Sequence, residues 1–232
     1  MKATKFEFER RFWIIAGIYF IGFLLAGIDH THFLVQLRHW LAPSTDSALF
    51  TRVALSIGTL VVFGAAFLRT WGAAYLRSDI VHDTRQHSEA LVADGPFRHS
   101  RNPLYFANLP MAAGIGLLAS VWGFVFLVLA SWIFVYRLIF REEASLRETQ
   151  GASYQKYLET VPRFWPSLTP RVPSGGATPR WPQAFFGETF IWLFGIAELS
   201  IAITLNTNVG MTIFAVGFFA HFVTNRALLR RN

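Results

Sequence analysis

The sequence predicts an all-α, polytopic membrane helical bundle, on three observations. Hydrophobic residues make up 53% of the 232, with Phe alone contributing 24, against about 45–50% in soluble domains. These residues gather into long blocks while the charges fall in the gaps between them, which is the pattern of helices sized to a bilayer. The 21 Lys and Arg residues are also biased toward alternate gaps, as the positive-inside rule requires.

Residues 12–28 form an uncharged run between Arg10-Arg11 and Asp29. Glu7 and Glu9 precede it and no small-x-small site follows it, so it reads as an uncleaved first span rather than a signal segment. Residues 53–76 are the second span, interrupted only by Arg69. Residues 104–120 and 121–140 have almost nothing between them, which predicts an antiparallel hairpin with a tight turn near residues 119–123. Residues 185–205 form a fifth span carrying Glu188 and Glu198, and residues 209–223 a short sixth. With both termini cytoplasmic, nearly all the Lys and Arg residues fall inside. Only Arg38 and Arg52 fall outside, and Arg69 lies within a span. The net charge of +7 is then cytoplasmic-loop charge rather than a nucleic-acid footprint, since no basic stripe interleaves with aromatics in a soluble segment.

Two inner segments are long, residues 77–102 and 141–183. The first ends in Asp94-Gly95-Pro96. The second begins as a helix to about Glu159, with Glu143 and Arg147 at i, i+4 spacing. It ends in Pro162, Pro166, Pro170 and Pro173 followed by Gly175-Gly176, which reads as a linker. Both segments lie on one side of the membrane and can meet. The chain has no cysteine, which excludes disulfides, zinc-thiolate sites, iron–sulfur clusters and cysteine nucleophiles; no metal centre is expected.

Four features carry chemistry. Gly95-Pro96-Phe97-Arg98-His99-Ser100-Arg101-Asn102-Pro103-Leu104-Tyr105 precedes the third span. Pro at a helix start leaves free N–H groups there, and with Arg98, His99, Arg101 and Asn102 at its mouth the place suits a carboxylate or phosphate. Gly114 and Gly116 leave a notch in the same span, for close helix packing or for a planar ligand. Glu142 and Glu143 sit at the inner end of the fourth span, where a carboxylate can bind a cation. Adjacent helix positions point about 100° apart, so at most one of the two is expected to face the bundle. Tyr154, Tyr157 and Val161-Pro162-Arg163-Phe164-Trp165-Pro166 close the series. Cations for a carboxylate and a carboxylate for an amino group describe a site for an amino-acid-bearing ligand at a membrane interface.

The order Gly-Pro-Phe, Arg-Asn-Pro-Leu-Tyr, helical hairpin, Glu-Glu, Tyr…Tyr and Val-Pro-Arg-Phe-x-Pro resembles the isoprenylcysteine carboxyl methyltransferase and phospholipid N-methyltransferase superfamily over residues 94–166. Asn102 stands where the carboxyl methyltransferase branch has His. Asn-Pro-x-Tyr with Gly-x-Gly is closer to the phospholipid branch, and Val-Pro-Arg-Phe to the other. The resemblance implies S-adenosylmethionine as cofactor and a lipid or hydrophobic small molecule as methyl acceptor, through a carboxylate, thiol or amine. It implies that Arg98, Arg101, Asn102 and Tyr105 hold the methionine carboxylate and shape the pocket. Gly114 and Gly116 would give room for the nucleoside, Glu142 or Glu143 would bind the amino group, and Tyr154 and Tyr157 would close the cytoplasmic side. The chain then divides into residues 1–52, a methyltransferase core at 53–170, and a linker with two C-terminal spans at 171–232.

Methyl transfer from a sulfonium needs little acid–base chemistry. An amine acceptor would lose its proton to His99, the nearest candidate, and Arg69 would orient an anionic acceptor, since an intramembrane Arg is functional by default. Two other readings fit parts of the sequence. One is a sterol-type membrane reductase using NADPH. The other is a proton- or cation-coupled transporter built on Glu188, Glu198 and His221.

Overall fold

A computed structural model describes residues 2–76 and 93–229. Among the described residues all regular structure is helical, with one isolated antiparallel bridge between His32 and Ser120. The helices are α1 (Lys5–Glu9), α2 (Arg11–Leu24), α3 (Phe33–Leu41), α4 (Ser47–Tyr75), α5 (Pro103–Gly116), α6 (Val121–Thr160), α7 (Trp181–Gly187), α8 (Thr189–Thr204) and α9 (Thr207–Leu229). All six apolar blocks are helical, and the turn between α5 and α6 falls where the sequence places it. The helix α3 was not expected.

Helix lengths differ from the six-span reading. Ser47–Tyr75, Val121–Ala152 and Thr207–Thr224 are each long and apolar enough to cross a membrane, and Trp181–Gly187 with Thr189–Thr204 qualify together as a broken span. The helices α2 and α5 have 14 residues each. At about 1.5 Å per residue each reaches ~21 Å, short of a ~30 Å hydrocarbon core. A 3-10 turn at Leu25–Gly27 ends the first apolar block. The first inner segment falls largely outside the described residues.

The chain forms two compact units that cut across the sequence segments. Unit 1 takes residues 1–19, 67–109 and 129–187; unit 2 takes residues 20–66, 110–128 and 188–232. The helices α2, α4, α5 and α6 therefore contribute to both.

In unit 1 the N-terminus is anchored to α6. Thr4 and Glu7 form a capping box that starts α1. Glu7 also accepts two hydrogen bonds from Arg137 Nη2, at 2.8 and 2.7 Å, and Arg141 donates to the Ala3 carbonyl. Ala3 is buried against Phe134 and Leu138. A second cluster joins Leu109, Val135, Ile139 and Phe164. The helix α6 continues past the membrane block, as its charged sequence predicts, and kinks at Gly151, where φ is +55°.

Unit 2 is built on small-residue contacts and one polar cap. Asp29 Oδ2 accepts the Trp122 N–H at 2.8 Å, placing a negative charge at the N-terminus of α6. Phe33 stacks on Phe124 with centroids 3.8 Å apart. Leu34, Leu55, Ile201 and Ala202 form the core. Large apolar side chains such as Phe20, Ile57, Leu60, Phe218 and Phe219 point outward, the arrangement that lipid, rather than water, stabilises.

Candidate functional site

The residues around Asp94–Tyr105 are organised by a strap rather than a loose linker. A 3-10 turn at Gly95–Arg98 leads into α5, whose first residue is Pro103. Gly95 has φ +55° and packs against Tyr75 and Trp71, leaving no room for a Cβ. Residues 161–180 lie across this turn. Asp94 accepts hydrogen bonds from the Ser174 hydroxyl at 2.6 Å and from the Gly175 and Ala177 N–H groups at 2.8 Å. Burial pushes the Asp94 carboxyl up, but these donors and the Arg98 charge outweigh it and hold it below the usual carboxylate range. Arg98 Nε donates to the Val172 carbonyl, and the Arg171 N–H donates to the Arg98 carbonyl. His99 Nδ1 lies 2.8 Å from the Ser167 carbonyl, an acceptor that places the ring proton on Nδ1. Arg98 and His99 therefore fasten the strap. Tyr154 and Tyr157 pack with Val161 in a small apolar cluster, and Tyr157 donates its hydroxyl to the Phe97 carbonyl at 2.7 Å. Burial pushes both phenols up.

Glu143 closes the arrangement. It is 3% exposed. Its two oxygens lie 3.1 Å from Arg101 Nε and 3.0 Å from Arg163 Nε. Asn102 Nδ2 donates to Glu143 Oε1 at 3.2 Å and to the Arg163 carbonyl at 2.9 Å. The i+4 neighbour Arg147, the partner suggested by sequence spacing, is not among these contacts. Arg101 and Asn102 at the α5 mouth, Glu143 and Arg163 of the Val-Pro-Arg segment thus form one network around a buried carboxylate, with Arg101 also donating to the Leu158 carbonyl at 2.7 Å.

Glu142 points elsewhere, into a cavity of about 300 Å³. Its lining includes the cationic residues Arg11, Arg69 and Arg101 and the neutral polar residues Asn102, Tyr105 and Asn108. Phe12, Ile15, Leu76, Phe97, Pro103 and Leu104 supply the apolar wall. Tyr105 and Glu142 both line the cavity, and Glu142 also feels the Arg11 charge. Arg69 Nη1 donates to Asn108 Oδ1 at 2.9 Å and approaches the Leu104 carbonyl at 3.4 Å. A cavity of this size with a few convergent charged groups is the usual form of a small-molecule site.

The structure thus brings Arg69, Arg101, Asn102, Tyr105 and Glu142 to one cavity, with Glu143 beside it as a clamp. Arg98, His99, Tyr154 and Tyr157 lie in the same unit but not in the lining. Gly114 and Gly116 belong to unit 2. A Cβ at Gly114 would meet Val62 and the Gly58 carbonyl, and one at Gly116 would meet Phe124, so both serve helix packing there. Arg11 and Asn108 were not singled out from the sequence. Asn108 had a signal: it follows Tyr105 by three residues, on the same face of α5, as a polar residue in an apolar block. Arg11 looked like ordinary span flanking.

Comparison with known proteins adds three findings. Residues 53–153 match the family model for phospholipid methyltransferases. The cobalt-zinc-cadmium resistance protein CzcN of Cupriavidus metallidurans is 24% identical over 124 residues, covering 53% of this chain and 54% of that protein. The chain therefore spans about half the length of the curated relative it matches. No solved structure matches. The matched stretch contains the cavity residues from Arg69 to Glu142, the Glu143 clamp and the helical hairpin between them. The apolar helices make this an integral membrane protein, and residues 53–153, a little under half of the chain, are similar to the phospholipid methyltransferase family.

Proposed function

We propose that this protein transfers a methyl group from S-adenosylmethionine to a lipid or hydrophobic small molecule at the membrane interface. One observation carries the reading. The cavity is lined by Glu142 together with Arg11, Arg69 and Arg101, beside an apolar wall. That donor set fits the zwitterionic head and flat base of the cofactor: a carboxylate for its ammonium, guanidinium for its carboxylate, and Phe97 and Tyr105 for the nucleoside. When bound, the cofactor supplies an electrophilic methyl carbon on a sulfonium.

The chain's own residues then do the positioning. Arg101 is held rigid by Glu143 and the Leu158 carbonyl, so it loses little freedom on meeting an anionic group. Tyr105 stands beside Glu142 in the lining, where its hydroxyl can orient the carboxylate. Arg69, fixed by Asn108, stands where it can align an anionic part of the acceptor. A carboxylate or thiolate acceptor needs no base, and His99 is committed to Ser167. Alignment alone supplies up to about 7–11 kcal/mol of barrier reduction. Phe12 lines the cavity and is 58% exposed, so an apolar acceptor can enter from the bilayer past α2. The charge bias of the sequence supports a cytoplasmic setting for both termini and for this cavity.

The test is calorimetric titration of S-adenosylmethionine and S-adenosylhomocysteine into purified protein in detergent, with NADPH in parallel. Binding of both sulfur compounds, weakened about tenfold or more by Glu142→Gln as expected for a charge-assisted contact, is the predicted result. NADPH binding alone would replace this reading with the reductase one.

A further inference from the structure

Unit 2 buries a carboxyl group that the reading above does not use. Glu198 lies within α8, is 1% exposed, and has no hydrogen-bond partner on either oxygen among the described residues. The rest of α8 carries no ionisable side chain. The same holds for α4 over residues 53–66, α5 over 110–116, α6 over 121–128 and α2 over 20–24. Arg52 is committed to the Ala202 and Ile203 carbonyls at the end of α8, and Arg38 of α3 to the Pro43 and Thr45 carbonyls, while His39 is exposed. On α9, Gly210 packs against Ile201 and Gly217 against Leu193, so His221 continues toward the start of α8, away from Glu198. Glu188 precedes Glu198 by a span of ~15 Å along the helix axis.

The surroundings press on the carboxyl. A Cβ at Gly58 would overlap Glu198 Oε1 and the Leu117 side chain, and a Cβ at Gly114 would lie 2.9 Å from the Gly58 carbonyl. Gly58 thus lets the carboxyl rest on the α4 backbone, and Gly114 lets α5 approach α4 at the same point. The next residue of α4, Thr59, is 2% exposed and its hydroxyl has no hydrogen-bond partner among the described residues. An ionised carboxylate with neither cation nor donor here carries a desolvation cost that packing does not offset, whereas the neutral acid lacks only a hydrogen bond.

We propose that Glu198 is a proton-binding site in the membrane-spanning part of unit 2, its carboxyl held as the neutral acid at the Gly58 contact, and that close packing of α8 on α4 depends on that proton. The test is infrared spectroscopy of the full-length protein in lipid at neutral pH, read beside thermal melts. A carbonyl stretch of a weakly hydrogen-bonded carboxylic acid is expected in the wild type. It should persist in Glu142→Gln and vanish in Glu198→Gln. Glu198→Gln and Glu198→Leu should both fold, with Tm at or above the wild type, because each exchanges one uncharged group for another. A wild type without the band, or a band that survives Glu198→Gln, overturns the proposal. Failure of both variants to fold also overturns it, since only an ionised carboxylate tied to a cation resists every uncharged replacement.

Discussion

The Glu143 carboxylate lies 3.1 Å from Arg101 Nε, with both side chains less than a tenth exposed. Removing one partner of such a buried pair leaves the other charged and unsolvated, at a cost of about 3–5 kcal/mol. Glu143→Ala is therefore expected to lower Tm sharply in a thermal melt in detergent. An unchanged Tm would mean that Arg101 finds another counter-charge.

Glu142 should behave differently. It lines the cavity and contacts Tyr105 but does not join the Arg101–Asn102–Arg163 network. Glu142→Gln is expected to leave stability within about 1 kcal/mol of wild type, read as a nearly unchanged Tm, while weakening cofactor binding. Equal stability losses at the two neighbouring positions would contradict the division of labour drawn between them.

Arg69→Lys tests the acceptor side. Lysine keeps the charge but loses the fixed guanidinium fork that Asn108 and Leu104 orient. Turnover should fall about tenfold, corresponding to one charge-assisted hydrogen bond, with S-adenosylmethionine affinity unchanged. Turnover at the wild-type level would remove Arg69 from the acceptor site.

The glycine pair separates packing from ligand binding. Gly114→Ala puts a methyl group against Val62 and the Gly58 backbone, and overpacking of this kind costs about 1–3 kcal/mol. The expected outcome is lower Tm in folded protein that still binds cofactor. A variant of wild-type stability that no longer binds would return Gly114 to the nucleoside pocket.

Glu7 gives a pH signature. Its carboxyl is lowered from 4.5 to about 2, first by the hydrogen bond from the Thr4 backbone and then by Arg137. Because the folded value lies below the unfolded one, the stabilisation is fully present above pH 4.5 and is lost as pH falls through about 2. Glu7→Gln should flatten the acid limb of the melting profile in that window. An unchanged acid limb would show that the α1–α6 anchor adds nothing to stability.

The sequence by itself determined the helical class, the apolar blocks, the α5–α6 turn and the cluster of Arg, Asn, Tyr and Glu around the inner helix ends. Those features are local: hydropathy, turn residues and charge placement act over a few neighbours. From the sequence at most one of Glu142 and Glu143 is expected to face inward, because the helix turns about 100° per position, whereas both do, Glu142 toward the cavity and Glu143 toward Arg101 and Arg163. Only the tertiary structure decided that Glu142 lines the cavity while Glu143 clamps Arg101, Asn102 and Arg163. Those partners lie far along the chain from one another, and their meeting depends on how whole helices pack. The same reason explains the strap. Pro and Gly in residues 162–176 announce a chain that cannot be helical, but only Asp94, Arg98 and His99, brought alongside by folding, hold it in place. Helix length was decided there as well, since two apolar blocks of adequate hydropathy end in 3-10 turns and glycine before they reach full span.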